Sequence, residues 1–240
     1  FIDVIKRNVE KIKKLPAGKA EILDVLQQQL SGLGATKEQI SQTLDKHPIS
    51  DLESFAKKLR EVSKPILVVA NKIDLPSAQK NFERLKEKYK IIPTSAESEI
   101  ALKKAEERRL VDYKVGDSFE IIGNLDDAQK KALEFIKREV IGKYGSSGIQ
   151  ECLNKAVFEM LEYIVVYPVA DANKLTDTSG SVLPDAFLIP EGTNLKEFAF
   201  KIHTDIGERF IGGLDARTKK KLSSEYILKN NDVIEILFRH

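Results

Sequence analysis

Between Lys64 and Asp74 the chain reads Lys-Pro-Ile-Leu-Val-Val-Ala-Asn-Lys-Ile-Asp, an apolar run cut short by Asn-Lys-x-Asp. β-Branched residues without polar alternation suit a strand covered on both faces. Such strands are typical of parallel sheets in α/β domains, where ligands sit beyond the strands' carboxyl ends. The run predicts a buried strand with Asn71, Lys72 and Asp74 at that edge. About one helix later comes Ile91-Ile92-Pro93-Thr94-Ser95-Ala96, a second short apolar run ending in small residues. Between the two, Ala78, Phe82, Leu85 and Tyr89 recur at helical spacing behind the start signal Pro76-Ser77.

Asn-Lys-x-Asp after such a strand resembles the base-recognition motif of the P-loop GTPases, and Thr94-Ser95-Ala96 resembles that family's next guanine-contacting loop. The chemistry of the residue types stands independently of the resemblance. Guanine presents N1–H and its 2-amino group side by side, and one carboxylate can accept from both in a charge-assisted pair. Adenine lacks that pair of donors and would leave the carboxylate unpaired, which costs more than a missing contact. Asp74 is the candidate acceptor, and Lys72 can lay its methylene stem along the base plane. The resemblance implies that Asn71 ties this loop to a phosphate loop through its side-chain amide. It also implies that backbone N–H groups near Ser95 and Ala96 donate to the base carbonyl. For Ser95 alone, a strand ending in a turn of small residues is the plainer account.

At 240 residues, with 42% hydrophobic and 32% charged residues, the chain can bury a sizeable core and divides into two or three domains. The single Cys152 excludes an internal disulfide framework and suits a reducing cytosol. No apolar run approaches membrane-spanning length and no signal peptide is visible, so no membrane partner is expected. A formal net charge of +2 gives no global nucleic-acid footprint, and any basic patch is local. The sequence nowhere contains G-x-x-x-x-G-K-[ST], the phosphate-cradling loop. Asp177-Thr178-Ser179-Gly180 matches the Asp-x-x-Gly of a metal-linked switch but follows the base loops where the family order precedes them, and it reads as a loop. The expectation is the C-terminal part of a longer GTPase whose phosphate site lies upstream.

Three segments are expected. Residues 1–62 read as a helical, coiled-coil-like module, with Phe1, Ile5, Val9 and Ile12, then Ile22, Leu23, Leu26 and Leu30, at helical spacing. Thr36-x-x-Gln39 and Ser50-x-x-Glu53 look like capping boxes. Residues 63–167 read as α/β, with helices at 98–111, 126–141 and 147–161; the glycine-serine stretch Gly142–Gly148 reads as a helix-helix turn. Cys152 reads as a buried, inert thiol. Residues 168–240 continue from the strand-like Tyr163–Val169 into a strand, helix, strand pattern of the ubiquitin-like β-grasp type. Here Pro190-Glu191-Gly192-Thr193, Phe198-Ala199, Ile202-His203 and Asn231-Asp232-Val233 resemble the TGS domain. His203 reads as a surface or packing residue.

In this order the parts resemble the YchF branch of the Obg-related GTPases in its archaeal form. Fold class follows as α/β: the second half of a P-loop GTPase domain, with an all-helical module and a C-terminal β-grasp (TGS) domain. The bacterial and eukaryotic branches carry Asn-x-x-Glu and prefer ATP, so Asp74 implies guanine. The resemblance implies GTP as ligand, magnesium bound upstream of this chain and GTP hydrolysis by the complete protein; a cytoplasmic location is expected from the cysteine usage, and a ribosomal or tRNA-like RNA partner from the placement of charge. Basic residues cluster at Lys6, Arg7, Lys11, Lys13, Lys14 and Lys19 and at Arg217, Lys219, Lys220 and Lys221, and of these Lys11, Lys13, Lys14, Arg217, Lys219, Lys220 and Lys221 are the RNA-binding candidates. A solvated helix face or loop explains either cluster alone, whereas two clusters facing each other could line one cleft. The competing reading is a non-catalytic RNA- or ribosome-binding module that keeps a partial GTPase fold as scaffold.

Overall fold

The structure, a computed structural model, describes residues 2–11, 18–183 and 185–239. The chain divides into two compact units, Phe1–Val68 and Val69–His240.

The first unit consists of α1 (Ile2–Glu10), α2 (Lys19–Leu30), α3 (Lys37–Lys46) and α4 (Leu52–Ser63). Ile5 and Val9, Leu26 and Leu30, and Phe55 and Leu59 each fall on one helix face and bury together with Ala35 and Ile40. A side chain of this size contributes about 1.5–3 kcal/mol when fully buried, so the shared core holds helices too short to be stable alone. The Thr36–Gln39 box forms as read: Gln39 N–H donates to Thr36 Oγ1 at 3.2 Å and Thr36 N–H to Gln39 Oε1 at 3.0 Å. The second box is corrected. The cap of α4 is Asp51, whose carboxylate accepts from Ser54 N–H at 3.1 Å. A negative charge there also suits the positive end of the helix dipole.

The second unit begins within β1 (Val68–Ala70), continues through α5 (Pro76–Lys86) to β2 (Ile91–Pro93), the hydrogen-bonded neighbour of β1, and then α6 (Ala96–Glu107). The expected buried strand is corrected here. Only Val68–Ala70 is strand, and Ile66, Val68 and Val69 are 60%, 39% and 45% exposed. Pro65 has no N–H to give a ladder, and a pair of strands leaves faces open that a wider sheet would cover. Ile73, beyond the strand, is fully buried.

The helix expected at 98–111 stops at Glu107, with Arg109 at φ +57°, and a hairpin follows: β3 (Val111–Tyr113) pairs antiparallel with β4 (Phe119–Ile121). The alternation Val111, Tyr113 and Phe119 around Gly116-Asp117 is a hairpin signal. After it come α7 (Asp127–Ile136), running on as a π-helical turn through Ile141, α8 (Gly142–Tyr144), and α9 (Ile149–Asn154), with a second π turn through Met160. Leu102, Val111, Tyr113, Phe119, Leu133 and Val140 are the core of this part.

The C-terminal sheet is built from β5 (Tyr163–Val169), β6 (Phe187–Pro190), β7 (Phe210–Asp215), β8 (Lys221–Leu222) and β9 (Asp232–Phe238), in the order β6-β5-β9-β7-β8. β5 and β9 run parallel, with Val166 opposite Asp232, and the other pairs are antiparallel. Helix α10 (Leu195–Ile202), capped by an Asn194–Glu197 box, lays Leu195 and Phe198 on Ile164, Val166, Ile189 and Ile234 and buries Ala199, and the short α11 (Thr204–Glu208) follows. On the other sheet face Val169 and Val233 pack with Ala172 and Ala216. This is the expected β-grasp. Since β5 pairs with both β6 and β9, the strand crosses residue 167, where the sequence reading drew a boundary, and belongs to the C-terminal sheet.

Candidate base-recognition site

The carboxyl ends of β1 and β2 are zipped together by two backbone bonds: Thr94 N–H donates to Ala70 O at 2.9 Å and Ile73 N–H to Thr94 O at 3.0 Å. This brings the two polar loops onto one cavity of about 350 Å³, lined by Asn71, Lys72, Asp74, Ser95 and Ala96, with Glu97 and Ile100 beside them. All five residues singled out for guanine recognition meet there. Lys72 is exposed and adopts φ +63°, the left-handed conformation that turns the chain sharply after the strand.

Asn71 Oδ1 accepts from Lys72 N–H at 2.8 Å and from Ala96 N–H at 3.2 Å, so its carbonyl staples the first loop to the second. Ser95 Oγ donates to Asp74 Oδ1 at 2.7 Å, caps α6 by accepting from Ser98 N–H at 3.3 Å, and lies 2.8 Å from Ser98 Oγ. Ser95 is fully buried and its N–H donates to Ser147 O at 2.9 Å. The backbone donors expected to face a base carbonyl are therefore engaged within the protein, the Ala96 bond being the longer of the two on Asn71. The N-terminus of α6 opens at the same place, and its partial positive charge favours a carbonyl oxygen there.

The loops are supported by groups that the sequence reading passed over. Tyr113 Oη donates to Glu99 Oε2 at 2.6 Å, and the Ser147 hydroxyl bonds the same oxygen. Burial, with the Glu99 carboxylate second, pushes the Tyr113 hydroxyl up to about 12. Of the glycine-serine stretch Gly142–Gly148, Gly142–Tyr144 is the short helix α8 and the helix-helix turn is confined to residues 145–148, which also pack on the end of β2. A capping position followed by a buried-looking Tyr-x-x-Gly hairpin was the available signal. Gln79 braces the first loop, donating from Nε2 to Ile73 O at 3.0 Å while its Oε1 accepts from Lys143 Nζ at 3.2 Å. Lys143 and Arg138 hold the Glu139 carboxyl down at about 2.

The basic candidates fare differently. Lys13 and Lys14 lie outside the described residues; Lys11 is exposed in the turn after α1, and Lys6 is ion-paired with Glu53. Arg217 and Lys220 stand exposed on the β7–β8 turn, where Asp215 Oδ1 accepts from Arg217 N–H and Thr218 N–H at 2.8 and 2.9 Å. Lys219, at φ +58°, folds back so that Nζ donates to Ala172 O at 2.7 Å, and Lys221 lies on the edge strand β8. A lysine on an edge strand also blocks pairing with other chains. His203 caps α11, accepting from Asp205 N–H at 3.2 Å, and Cys152 is half-buried, its thiol pushed up by burial. Asp177 folds Ser179 and Ser181 N–H onto its own Oδ1, as a loop does. Among the described residues no group of three or more His, Cys, Asp and Glu could hold a metal ion, and no helix is long and apolar enough to cross a membrane.

Residues 69–171 match the family described as "Obg-like GTPase YGR210-like, G4 motif-containing domain", and residues 179–238 match the TGS domain. The chain carries an Obg-like GTPase G4-motif domain followed by a TGS domain. Both base loops and the Ser147 turn lie inside the G4-motif domain, whose match also takes in β5. The chain is 43% identical over 246 residues to the uncharacterized GTP-binding protein MJ1332 of Methanocaldococcus jannaschii, covering 98% of this chain and 62% of that one. It is similar to the crystal structure of a GTP binding protein from Pyrococcus horikoshii, with a TM-score of 0.65 and 32% identity over 99% of this chain and 64% of that one. The structure of the Schizosaccharomyces pombe YchF GTPase shares the fold at a TM-score of 0.50 and 16% identity, covering 98% of this chain and 62% of that one. The chain thus spans about three fifths of the length of these relatives.

Proposed function

We propose that the G4-motif domain reads the base of GTP, and that the chain is the base-reading and TGS portion of a guanine-nucleotide switch acting in the cytosol on ribosomal or tRNA-like RNA. The observation that carries the base assignment is Asp74. Its Oδ1 is fixed by Ser95 at 2.7 Å, and its carboxylate lines a cavity shared with Asn71, Lys72 and Ala96. Guanine N1–H and its 2-amino group would meet that carboxylate, the Lys72 stem would cover the ring, and Ala96 N–H would turn from Asn71 to the base carbonyl. The γ-phosphate and magnesium are assigned no residue among those described. The sequence has no phosphate-cradling loop. Hydrolysis is accordingly assigned to the complete protein, and these 240 residues alone should bind GTP weakly and turn none over.

The decisive experiment replaces Asp74 by Asn in the complete protein. The amide can donate to the 2-carbonyl of xanthine and no longer pairs with both guanine donors. Preference should move from GTP toward XTP by on the order of tenfold to a hundredfold, the worth of a hydrogen bond to a charged group. Unchanged guanine selectivity in a competition assay would remove the base-site assignment.

For the RNA partner, the support is the exposed pair Arg217 and Lys220 on the β7–β8 turn. Each phosphate contact releases counterions, so binding to ribosomes should weaken steeply with salt. Reversing Arg217 and Lys220 to Glu should weaken co-sedimentation without unfolding the domain, and co-sedimentation insensitive to both salt and reversal would exclude this surface. The scaffold reading, RNA binding without nucleotide, is favoured if the complete protein co-sediments yet shows no GTP binding by calorimetry.

A further inference from the structure

The buried polar groups behind the base loops are arranged in a way that packing alone does not require. Ser95 has one hydroxyl proton and one N–H. The first goes to Asp74 Oδ1 at 2.7 Å and the second to Ser147 O at 2.9 Å. Ser147 is itself fully buried, and its hydroxyl goes to Glu99 Oε2, which also accepts from Tyr113 Oη at 2.6 Å. Glu99 is 4% exposed, and its other oxygen, Oε1, is buried without a hydrogen-bond partner, the Lys103 ammonium standing 3.9 Å from it. A buried acceptor left in that state costs about 1–3 kcal/mol, so the cluster is not the arrangement that stability alone would favour.

Gly148 closes the turn against β2. It has φ +77°, and a Cβ there would lie 2.0 Å from Pro93 O and 3.0 Å from Thr94 Cγ2. Pro93 and Thr94 lead directly into Ser95. The turn therefore sets where the end of β2 sits, and its carbonyl sets which way the Ser95 backbone faces. Hydrogen bonds weaken steeply with angle, so a carboxylate accepting from two neighbouring donors discriminates only while its plane is held against the base edge.

We propose that Ser147, Gly148 and Glu99 are positioning residues for base discrimination, holding Ser95 and, through it, the Asp74 carboxylate in the plane that guanine needs. This rests on the base-site reading above, and the test separates the two. The readout is the ratio of GTP to ITP affinity, because inosine lacks the 2-amino group and keeps every other contact. It is measured by NMR titration of the 240-residue chain, a method suited to weak binding. The unaltered chain should favour GTP by on the order of tenfold. Ser147→Ala and Gly148→Ala should bring the ratio toward one. Glu99→Gln, whose amide oxygen can still accept from Tyr113 and Ser147, should keep it.

If folded Ser147→Ala and Gly148→Ala keep the ratio, or lose GTP and ITP affinity equally, the proposal is overturned; Asp74→Ala abolishing the ratio in the same series would leave the base site standing. If Asp74→Ala leaves the ratio unchanged, the base-site reading falls and the proposal with it. Should Gly148→Ala not fold, Ser147→Ala decides, since it retains the backbone carbonyl and creates no clash.

Discussion

Two apolar runs of similar make-up meet different fates in this chain. Pro65–Ala70 yields three residues of strand with Val68 and Val69 39% and 45% exposed, whereas Tyr163–Val169 is strand throughout, with Ile164 and Val166 7% and 0% exposed. The residues do not account for the difference; the neighbours do. β5 has β6 on one edge, β9 on the other and α10 across a face, while β1 has, among the described residues, β2 as its one strand neighbour. What orders the ends of the open pair is instead polar: Thr94, Ser95, Ser98, Glu99 and Ser147 are all buried. One region is held by apolar closure and the other by a hydrogen-bonded cluster, and the cavity lined by Asn71, Lys72, Asp74, Ser95 and Ala96 belongs to the second.

The comparison breaks most directly in stability. Phe198 is fully buried and stacked edge-on against Phe187 at 5.7 Å, with an interplanar angle of 87°. Phe198→Ala should cost about 3–5 kcal/mol. Val69→Ala, on the exposed strand, should fall within about 0.5 kcal/mol. Urea unfolding followed at both sheets would measure the pair, and equal losses would show that β1 is closed by packing after all.

A second substitution addresses the polar cluster. Tyr113→Phe removes the donor to Glu99 Oε2 and should cost about 1–3 kcal/mol by leaving a buried acceptor less satisfied. Its pH dependence has a definite sign. The folded protein holds the Tyr113 proton up to about 12 and the unfolded chain releases it near 10.0, so the stability from this group is complete below pH 10 and is lost as pH rises through 12. The difference in unfolding free energy between the unaltered protein and Tyr113→Phe should shrink over that window. A constant difference would mean that Tyr113 is not held by burial and Glu99.

The same contrast explains what could be read in the sequence. The β-grasp was legible because its signals are local and mutually consistent: apolar strands, a capped amphipathic helix, a turn at Gly192. That two polar loops would meet was legible because Asn71, Lys72 and Asp74 sit at fixed spacing from a strand, and Ser95 one helix later. The β3–β4 hairpin was lost in the charged tail of α6, since Glu106-Glu107-Arg108-Arg109 are good helix formers with no Gly or Pro to mark where the helix stops. The exposure of β1 was not legible at all, because burial depends on strands that the run itself does not encode. Nor was the link from Ser147 and Glu99 to Ser95, which joins residues 48 and 52 positions apart through contacts that no periodicity reports.

The smallest expected effect lies within the closed domain, where a polar contact trims the surface and carries no core. Lys219 and Lys220 are adjacent, both exposed, and indistinguishable by sequence. Only Lys219 has its ammonium on a backbone carbonyl, Ala172 O at 2.7 Å, and that carbonyl belongs to the loop packed over the second sheet face. Lys219→Ala should therefore cost about 0.5–1.5 kcal/mol, the net worth of one hydrogen bond, and Lys220→Ala nothing measurable. For RNA the order should reverse. Lys220 is free to reach a phosphate, whereas Lys219 would first have to leave Ala172, so Lys220→Ala should lower the salt dependence of ribosome binding more than Lys219→Ala does. Equal effects in both assays would mean that the ammonium of Lys219 exchanges freely between carbonyl and solvent, and that the turn presents its bases as one undivided cluster.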